Sequence, residues 1–172
     1  SVIAQDIGFE QNIQMILVND GSPDHSEEIC LAYLKKYPDN IVYVKQENAG
    51  VSAARNHGMD YVKGKYVNFL DSDDKWSPDA FSCVYRFFEK HYEQVDLVSC
   101  KQEFFEGQTG PHPLSKKKYE DGDRVTDILT NFEDLQLHIT ASFLKAEIMR
   151  DEQFDTRLKY GEDALYVNEI IL

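Results

Sequence analysis

The chain has 172 residues, of which 42% are apolar and 28% charged, with a formal net charge of −13; that is enough for one domain with a real core and is an ordinary globular composition. Such acidity excludes a nucleic-acid-binding surface, whose affinity rests on basic side chains meeting phosphates, so a phosphorylated ligand would need a local positive source: a metal ion, a helix N-terminus or a few arginines. No run approaches the about 20 apolar residues needed to cross a bilayer, no signal peptide is visible, and the abrupt start "SVIAQDIGFE" and the stop inside "DALYVNEIIL" are those expected of a fragment.

In chain order, "IQMILVND" (13–20) is a short apolar run closing in polar residues, the pattern of a buried strand. After the turn "GSPD", a helix is expected over 24–37. Asp24 and Glu27 have capping-box spacing and Pro38 ends it, with Ile29, Cys30, Tyr33, Leu34 and Tyr37 on one buried face. "IVYVKQ" (41–46) is the next strand and 49–64 the next helix. "YVNFLDS" (66–72) is a third strand. A helix follows over 77–92, with Ser77 as cap, Pro78 at the first helical position and Phe81, Val84, Tyr85 and Phe88 as its buried stripe. "VDLVSC" (95–100) is a fourth strand.

Residues 13–100 therefore alternate strand and helix, and the strands are nearly continuous apolar runs, as in a mostly parallel sheet covered on both faces. Ligands of such sheets bind beyond the carboxyl ends of the strands, where Asp20 and Asp71 to Asp74 stand. Beyond Cys100 the rhythm changes to one strand and a turn-rich loop whose "SKKK" is the only basic run; residues 124–135 and 162–172 are expected to be helical. The three cysteines, Cys30, Cys83 and Cys100, have no metal spacing and are expected to be buried, reduced thiols of a cytosolic protein.

Four stretches have the residue types for chemistry. "DSDD" (71–74) sets three carboxylates behind a strand; such groups raise one another's pKa, and a divalent cation would relieve the conflict. Oxygen-only ligands with open space suit Mg²⁺ or Mn²⁺, although a lone D-x-D is also a common turn. "VNDGS" (18–22) offers Asp20 as an acceptor and Gly21 for close backbone approach, or serves as a plain strand-to-helix turn. "NAGVSAARNHG" (48–58) makes a tight lead into a helix through Asn48 and Gly50, with Arg55 and Asn56 as donors where an anion could sit; the structural alternative pairs Arg55 with a nearby carboxylate. "YGEDALYV" (160–167) opens an apolar helix with Glu162 and Asp163, either complementing the helix dipole or supplying a carboxylate general base.

Taken in order, "ILVNDGSPD", "ENAGVSAARNHG", "FLDSDD" and "YGEDALYV" resemble the inverting family 2 glycosyltransferases over residues 15 to 170. The resemblance implies the GT-A fold, a three-layer αβα, Rossmann-like arrangement with a mostly parallel sheet and helices on both faces. It implies one truncated domain, residues 1–100 forming the nucleotide-sugar half and 101–172 the acceptor-side half. It assigns Asp20, Arg55, Asn56 and Asp71 to the nucleotide, Asp73 to a Mn²⁺ or Mg²⁺ ion, and Asp163 to the catalytic base, supported by Gly21, Asn48, Gly50 and Glu162. The implied partners are a nucleoside-diphosphate sugar, UDP-sugar first, and a carbohydrate or lipid-linked acceptor in cell-envelope, capsular or exopolysaccharide synthesis. The implied location is cytoplasmic, at the inner face of the membrane.

There are departures. Family members begin with a strand like "SVIIPVYN", whereas "SVIAQDIGFE" reads as the tail of the helix after it. Two strands are then expected to lack a ladder partner, and these 172 residues alone are expected to be inactive. "LHITASFLKAEIM" matches only loosely, and His138 within it reads as structural. "VNFLDSDD" also fits a haloacid-dehalogenase-type phosphatase, with Asp71 as nucleophile and Asp73 as acid, but that family carries its D-x-D on the first strand. A non-catalytic nucleotide-binding module is the third reading, against which stands the presence of Asp163.

Overall fold

The computed structural model describes residues 1–171 apart from 106, 114, 116–118, 121, 136 and 150. A short helix α1 (Phe9–Asn12) leads into strand β1 (Met15–Asp20), helix α2 (Ser26–Lys36) and strand β2 (Ile41–Gln46). β1 and β2 pair in parallel from Met15 opposite Ile41 to Asp20 opposite Gln46, as a helical crossover permits. Helix α3 (Val51–Met59) packs on β1. Gly58 allows the approach, since a Cβ there would stand 3.2 Å from Cγ2 of Val18.

The rest of the chain adds a second, three-stranded sheet and a short hairpin. Strand β3 (Tyr66–Asn68), helix α4 (Ala80–His91) and strand β4 (Leu97–Ser99) are followed by a hairpin of β5 (Glu103–Phe104) and β6 (Gly110–Pro111), then β7 (Ser142–Lys145) and helix α5 (Glu162–Ile171). β7 lies between β3 and β4, antiparallel to both, so β3 and β4 run parallel to each other. All four β7 residues are buried. Their side chains alternate between faces. Phe143 packs with Val84, Phe88 and Val95 beneath α4, and Leu144 with Val67, Ile139, Met149, Phe154, Tyr166 and Val167 beneath α5. Helices on both faces of a central sheet make the three-layer αβα arrangement that the motifs imply. Among the described residues no ladder joins β1 to β3.

Several local expectations change. Residues 124–135 are turns with one 3₁₀ turn at Phe132–Asp134, not a helix. The Asp127 carboxylate accepts from the Leu129 N–H at 3.0 Å, and its carbonyl accepts from the Thr130 hydroxyl at 3.1 Å and the Asn131 side-chain amide at 3.2 Å, side-chain bonds that compete with a helical ladder. α2 buries none of its residues fully; Cys30 and Leu34 are half-buried, but Ile29 and Tyr33 are exposed. Its capping box does not form, because Asp24 accepts from the Ser26 N–H and Glu27 reaches across to Lys45 at 2.6 Å. α3 stops at Met59, since the Gln14 side chain takes the Tyr61 carbonyl and the Lys63 N–H. α4 begins at Ala80 with Asp79 before it; the carbonyls of Ser77 and Pro78 are taken by the Gln5 side chain and the Asp6 N–H. Tyr85 on α4 is exposed and its hydroxyl donates to Glu89. All three cysteines are free, with Cys83 exposed and Cys100 half-buried, its thiol pushed up to about 12 by burial. Lys116 to Lys118 of the basic run lie outside the described residues.

Candidate active site

Helix α3 ties the four motifs together. At its N-terminus the Asp20 carboxylate accepts from Ala49 N–H at 2.8 Å and Gly50 N–H at 2.9 Å, and from the Gln46 side chain at 2.8 Å. An anion there meets the positive end of the helix dipole. Asp20 therefore clamps the 48–50 turn onto the end of β1, and the parallel register that sets Asp20 opposite Gln46 positions its third donor. Gln46 in turn faces His57 Nδ1 at 2.8 Å. Gly21 follows with φ of 73°, and a Cβ on it would stand 2.9 Å from the Asn48 backbone nitrogen. Gly21→Ala should therefore destabilise the fold by about 1–3 kcal/mol through backbone strain and a clash with main chain, read as a lower urea midpoint; an unchanged midpoint would mean the turn is not rigid.

Four residues beyond the helix start, Arg55 is buried, 9% exposed. Its Nη1 pairs with Asp163 Oδ1 and reaches Glu162 Oε1 at 3.3 Å, while Nη2 reaches Asp71 Oδ1 at 3.3 Å. The guanidinium lies 5.3 Å from the Phe154 ring centre and 6.0 Å from that of Phe69, within cation–π range. The adjacent Asn56 is committed to backbone: its Nδ2 donates to the Phe154 carbonyl at 2.9 Å and its Oδ1 accepts from Phe154 N–H at 2.8 Å. It pins residue 154 as a bridging strand would, and both ends of its amide are engaged.

Asp71 and Asp73 are exposed, beyond the end of β3, in a turn closed by Asp74 N–H to the Asp71 carbonyl at 3.1 Å. The carboxyl of Asp74 is raised, by burial first and then by the charges of Asp73 and Asp71, so the like-charge conflict is present. Asp163, in the first turn of α5, accepts at Oδ2 from Ile139 N–H at 3.4 Å. Its carboxyl is also raised: burial dominates, Glu162 adds to it, and Arg55 and the hydrogen bonds oppose it. One buried cation thus faces three carboxylates drawn from two motifs. Gln46, Phe154 and Ile139 take part without any signal in the sequence except the position of Gln46 at the end of the strand beside β1.

An α/β sandwich with acidic turns beyond its strand ends is a ligand-binding α/β protein, and its family follows from comparison. Residues 1–144 match Glycosyl transferase family 2, and the chain belongs to that family. It is 46% identical over 171 residues to the minor teichoic acid biosynthesis protein GgaB of Bacillus subtilis strain 168, covering 99% of this chain and 19% of that protein. It is 38% identical over 175 residues to GgaA of the same strain, covering all of this chain and 39% of the relative. The chain thus spans well under half the length of these curated relatives. Among solved structures, S. aureus TarS 1–349 in complex with UDP superposes with a TM-score of 0.76 at 21% identity, over 98% of this chain and 48% of that one; the likeness shows the expected GT-A fold. The family match decides against the phosphatase reading, and Asp71 indeed follows the third strand rather than the first.

Proposed function

We propose that this chain carries the donor site and the base of a glycosyltransferase. It would move a sugar from a nucleoside-diphosphate sugar, UDP-sugar first, to an acceptor hydroxyl with inversion, in the building of a cell-envelope polymer. The observation that carries the proposal is the convergence of Asp71 and Asp163 on one guanidinium, in a chain of glycosyl transferase family 2. The names of the teichoic acid relatives support the polymer class.

Asp163 is the general base. It takes the proton of the acceptor hydroxyl as that oxygen bonds to the anomeric carbon, and the bond to the diphosphate breaks with its electron pair leaving on the phosphate oxygen. A single displacement from the opposite face inverts the centre, so no side-chain nucleophile is needed. Asp71, half-exposed beside Arg55, faces the ribose. Asp20 and Asn48 to Gly50 hold the pocket rim against β1, where the base of the nucleotide is proposed to rest, and Asn56 holds residue 154 beside Arg55.

The residues present fit a divalent cation. Asp73 and Asp71 are exposed carboxylates with open space around them, and Mg²⁺ or Mn²⁺ is held by one or two carboxylates with water and phosphate oxygens completing the shell. Among the described residues no three potential ligands converge, and an ion of this kind requires no such cluster. When bound, the cation offsets charge developing on the leaving diphosphate. The acceptor is a carbohydrate or lipid-linked chain, and the reaction belongs on the cytoplasmic side of the membrane. Among the described residues no helix is long and apolar enough to cross a bilayer.

Calorimetry of the full-length protein with UDP and GDP, with and without Mn²⁺, tests this. Metal-dependent binding of one nucleotide is expected, with Asp73→Asn weakening it at least about tenfold, the loss of one charge-assisted ligand. Absence of metal-dependent binding to either nucleotide would overturn the proposal.

A further inference from the structure

We infer that Asn68 and Trp76 are the positioning residues of the acidic turn, and that the hydrogen bond between them holds Asp71 and Asp73 in place relative to the segment that anchors Asp163. The inference rests on the glycosyl-transfer reading for the role of those acids. The turn leaves the sheet at the end of β3 and returns at Trp76. Its two ends are joined there: the Trp76 Nε1–H donates to Asn68 Oδ1 at 2.9 Å. The other end of the Asn68 amide crosses to the neighbouring segment. Its Nδ2 donates to the Thr140 carbonyl at 3.1 Å and to the Ser142 carbonyl at 2.9 Å. Both donors of that amide and its oxygen are thus engaged.

Asp73, the carboxylate proposed for the cation, stands exposed within this loop, so its position follows from how the loop is closed. On either side of it, Asp71 meets Arg55 at 3.3 Å, and the Lys75 ammonium lies 3.9 Å from the Phe105 ring centre, just after β5. The Trp76 ring is seated against Phe143 of β7 at 5.0 Å and Phe81 of α4 at 5.9 Å. The indole therefore rests on the same strand that Asn68 grips. Ile139, three residues before Ser142, gives its N–H to Asp163 at 3.4 Å. Residues 139–142 thus hold the acidic turn through Asn68 and the base through Ile139. One segment sets the separation between the leaving-group side and the acceptor side, on which an in-line displacement depends.

Trp76→Phe keeps the ring and removes the N–H. In the full-length protein, the Mn²⁺ concentration that gives half-maximal UDP binding by calorimetry should rise about three- to tenfold, the range expected for one lost hydrogen bond. Binding of uridine, which has no phosphate for a cation to bridge, should be unchanged (GDP and guanosine serve if the wild type selects that base). Asn68→Leu, of similar size, removes all three bonds and should raise the Mn²⁺ requirement further. Should the leucine variant fail to fold, a double variant still decides: Trp76→Phe added to Asp73→Asn should cost less UDP affinity than it does alone, because the positioned carboxylate is already gone. An unchanged Mn²⁺ dependence in Trp76→Phe would overturn the inference, as would an equal loss of uridine binding or full additivity with Asp73→Asn. A wild-type protein that binds no nucleoside diphosphate with Mn²⁺ defeats the glycosyl-transfer reading itself, a result distinct from any pattern among the variants.

Discussion

Asp163→Asn is expected to abolish transfer while leaving donor binding intact. Loss of a general base lowers turnover by roughly 10²–10⁴, and asparagine has no proton acceptor of comparable strength. The donor side is kept, because Asp71 and Asp73 lie on a separate turn after β3 and Asp71 retains its ion pair with Arg55. The fold should also survive. Burial raises the Asp163 carboxyl above its ordinary value of 3.8, so its charged form is penalised in the native state. A group raised in this way contributes stability that is fully present below the unfolded pKa and is lost as pH rises through the folded one. At neutral pH the substitution therefore removes a buried charge that is itself costly, at the expense of the bond to Arg55, and the two effects oppose each other. The same shift sets the pH profile of the wild-type enzyme. Turnover should fall on acidification at a pH above the usual carboxylate value, because the base must be ionised to act. Steady-state transfer and UDP calorimetry on the variant check the first point; unchanged turnover would remove Asp163 from the reaction.

Phe154→Ala is expected to give the largest loss of stability. Phe154 is 2% exposed, stacked on Tyr166 at 3.9 Å with an interplanar angle of 11°, and edge-on to Phe69 at 5.3 Å. Truncating a buried phenylalanine costs about 3–5 kcal/mol in transfer and cavity terms, here including two aromatic pairs. For a chain of this size that is roughly 10 °C in melting temperature. The cavity would open directly beneath Arg55, so transfer should fall with stability, and Phe154→Leu should recover most of the stability but less of the activity. Urea unfolding and transfer assays measure both. A loss below about 1 kcal/mol would mean that the cluster under α5 is not close-packed.

The alternating strands and helices of residues 15–99 were legible because apolar runs and turn residues are local properties. The motif acids were legible for the same reason, and their order was enough to identify the family. Other features were not local. β7, "SFLK", is a strand because Phe143 and Leu144 fill the two opposite faces of the sheet between β3 and β4, and nothing in four residues announces that position. The helix expected at 124–135 gave way to side-chain bonds among Asp127, Leu129, Thr130 and Asn131. The apolar face of α2 was predicted by periodicity but covered only in part, since burial depends on what packs against a helix.

The site divides along the same line. Which acids stand at the strand ends, and hence the chemistry on offer, is written in the local motifs. Their partners are set by long-range packing. Asp20 meets the Ala49 and Gly50 N–H groups, Asn56 meets the Phe154 backbone, and Arg55 joins Asp71 to Asp163. Residues 55 and 163 meet because α3 and α5 pack around one ring, that of Phe154. Contact between groups more than a hundred positions apart is set by packing, which no local pattern encodes.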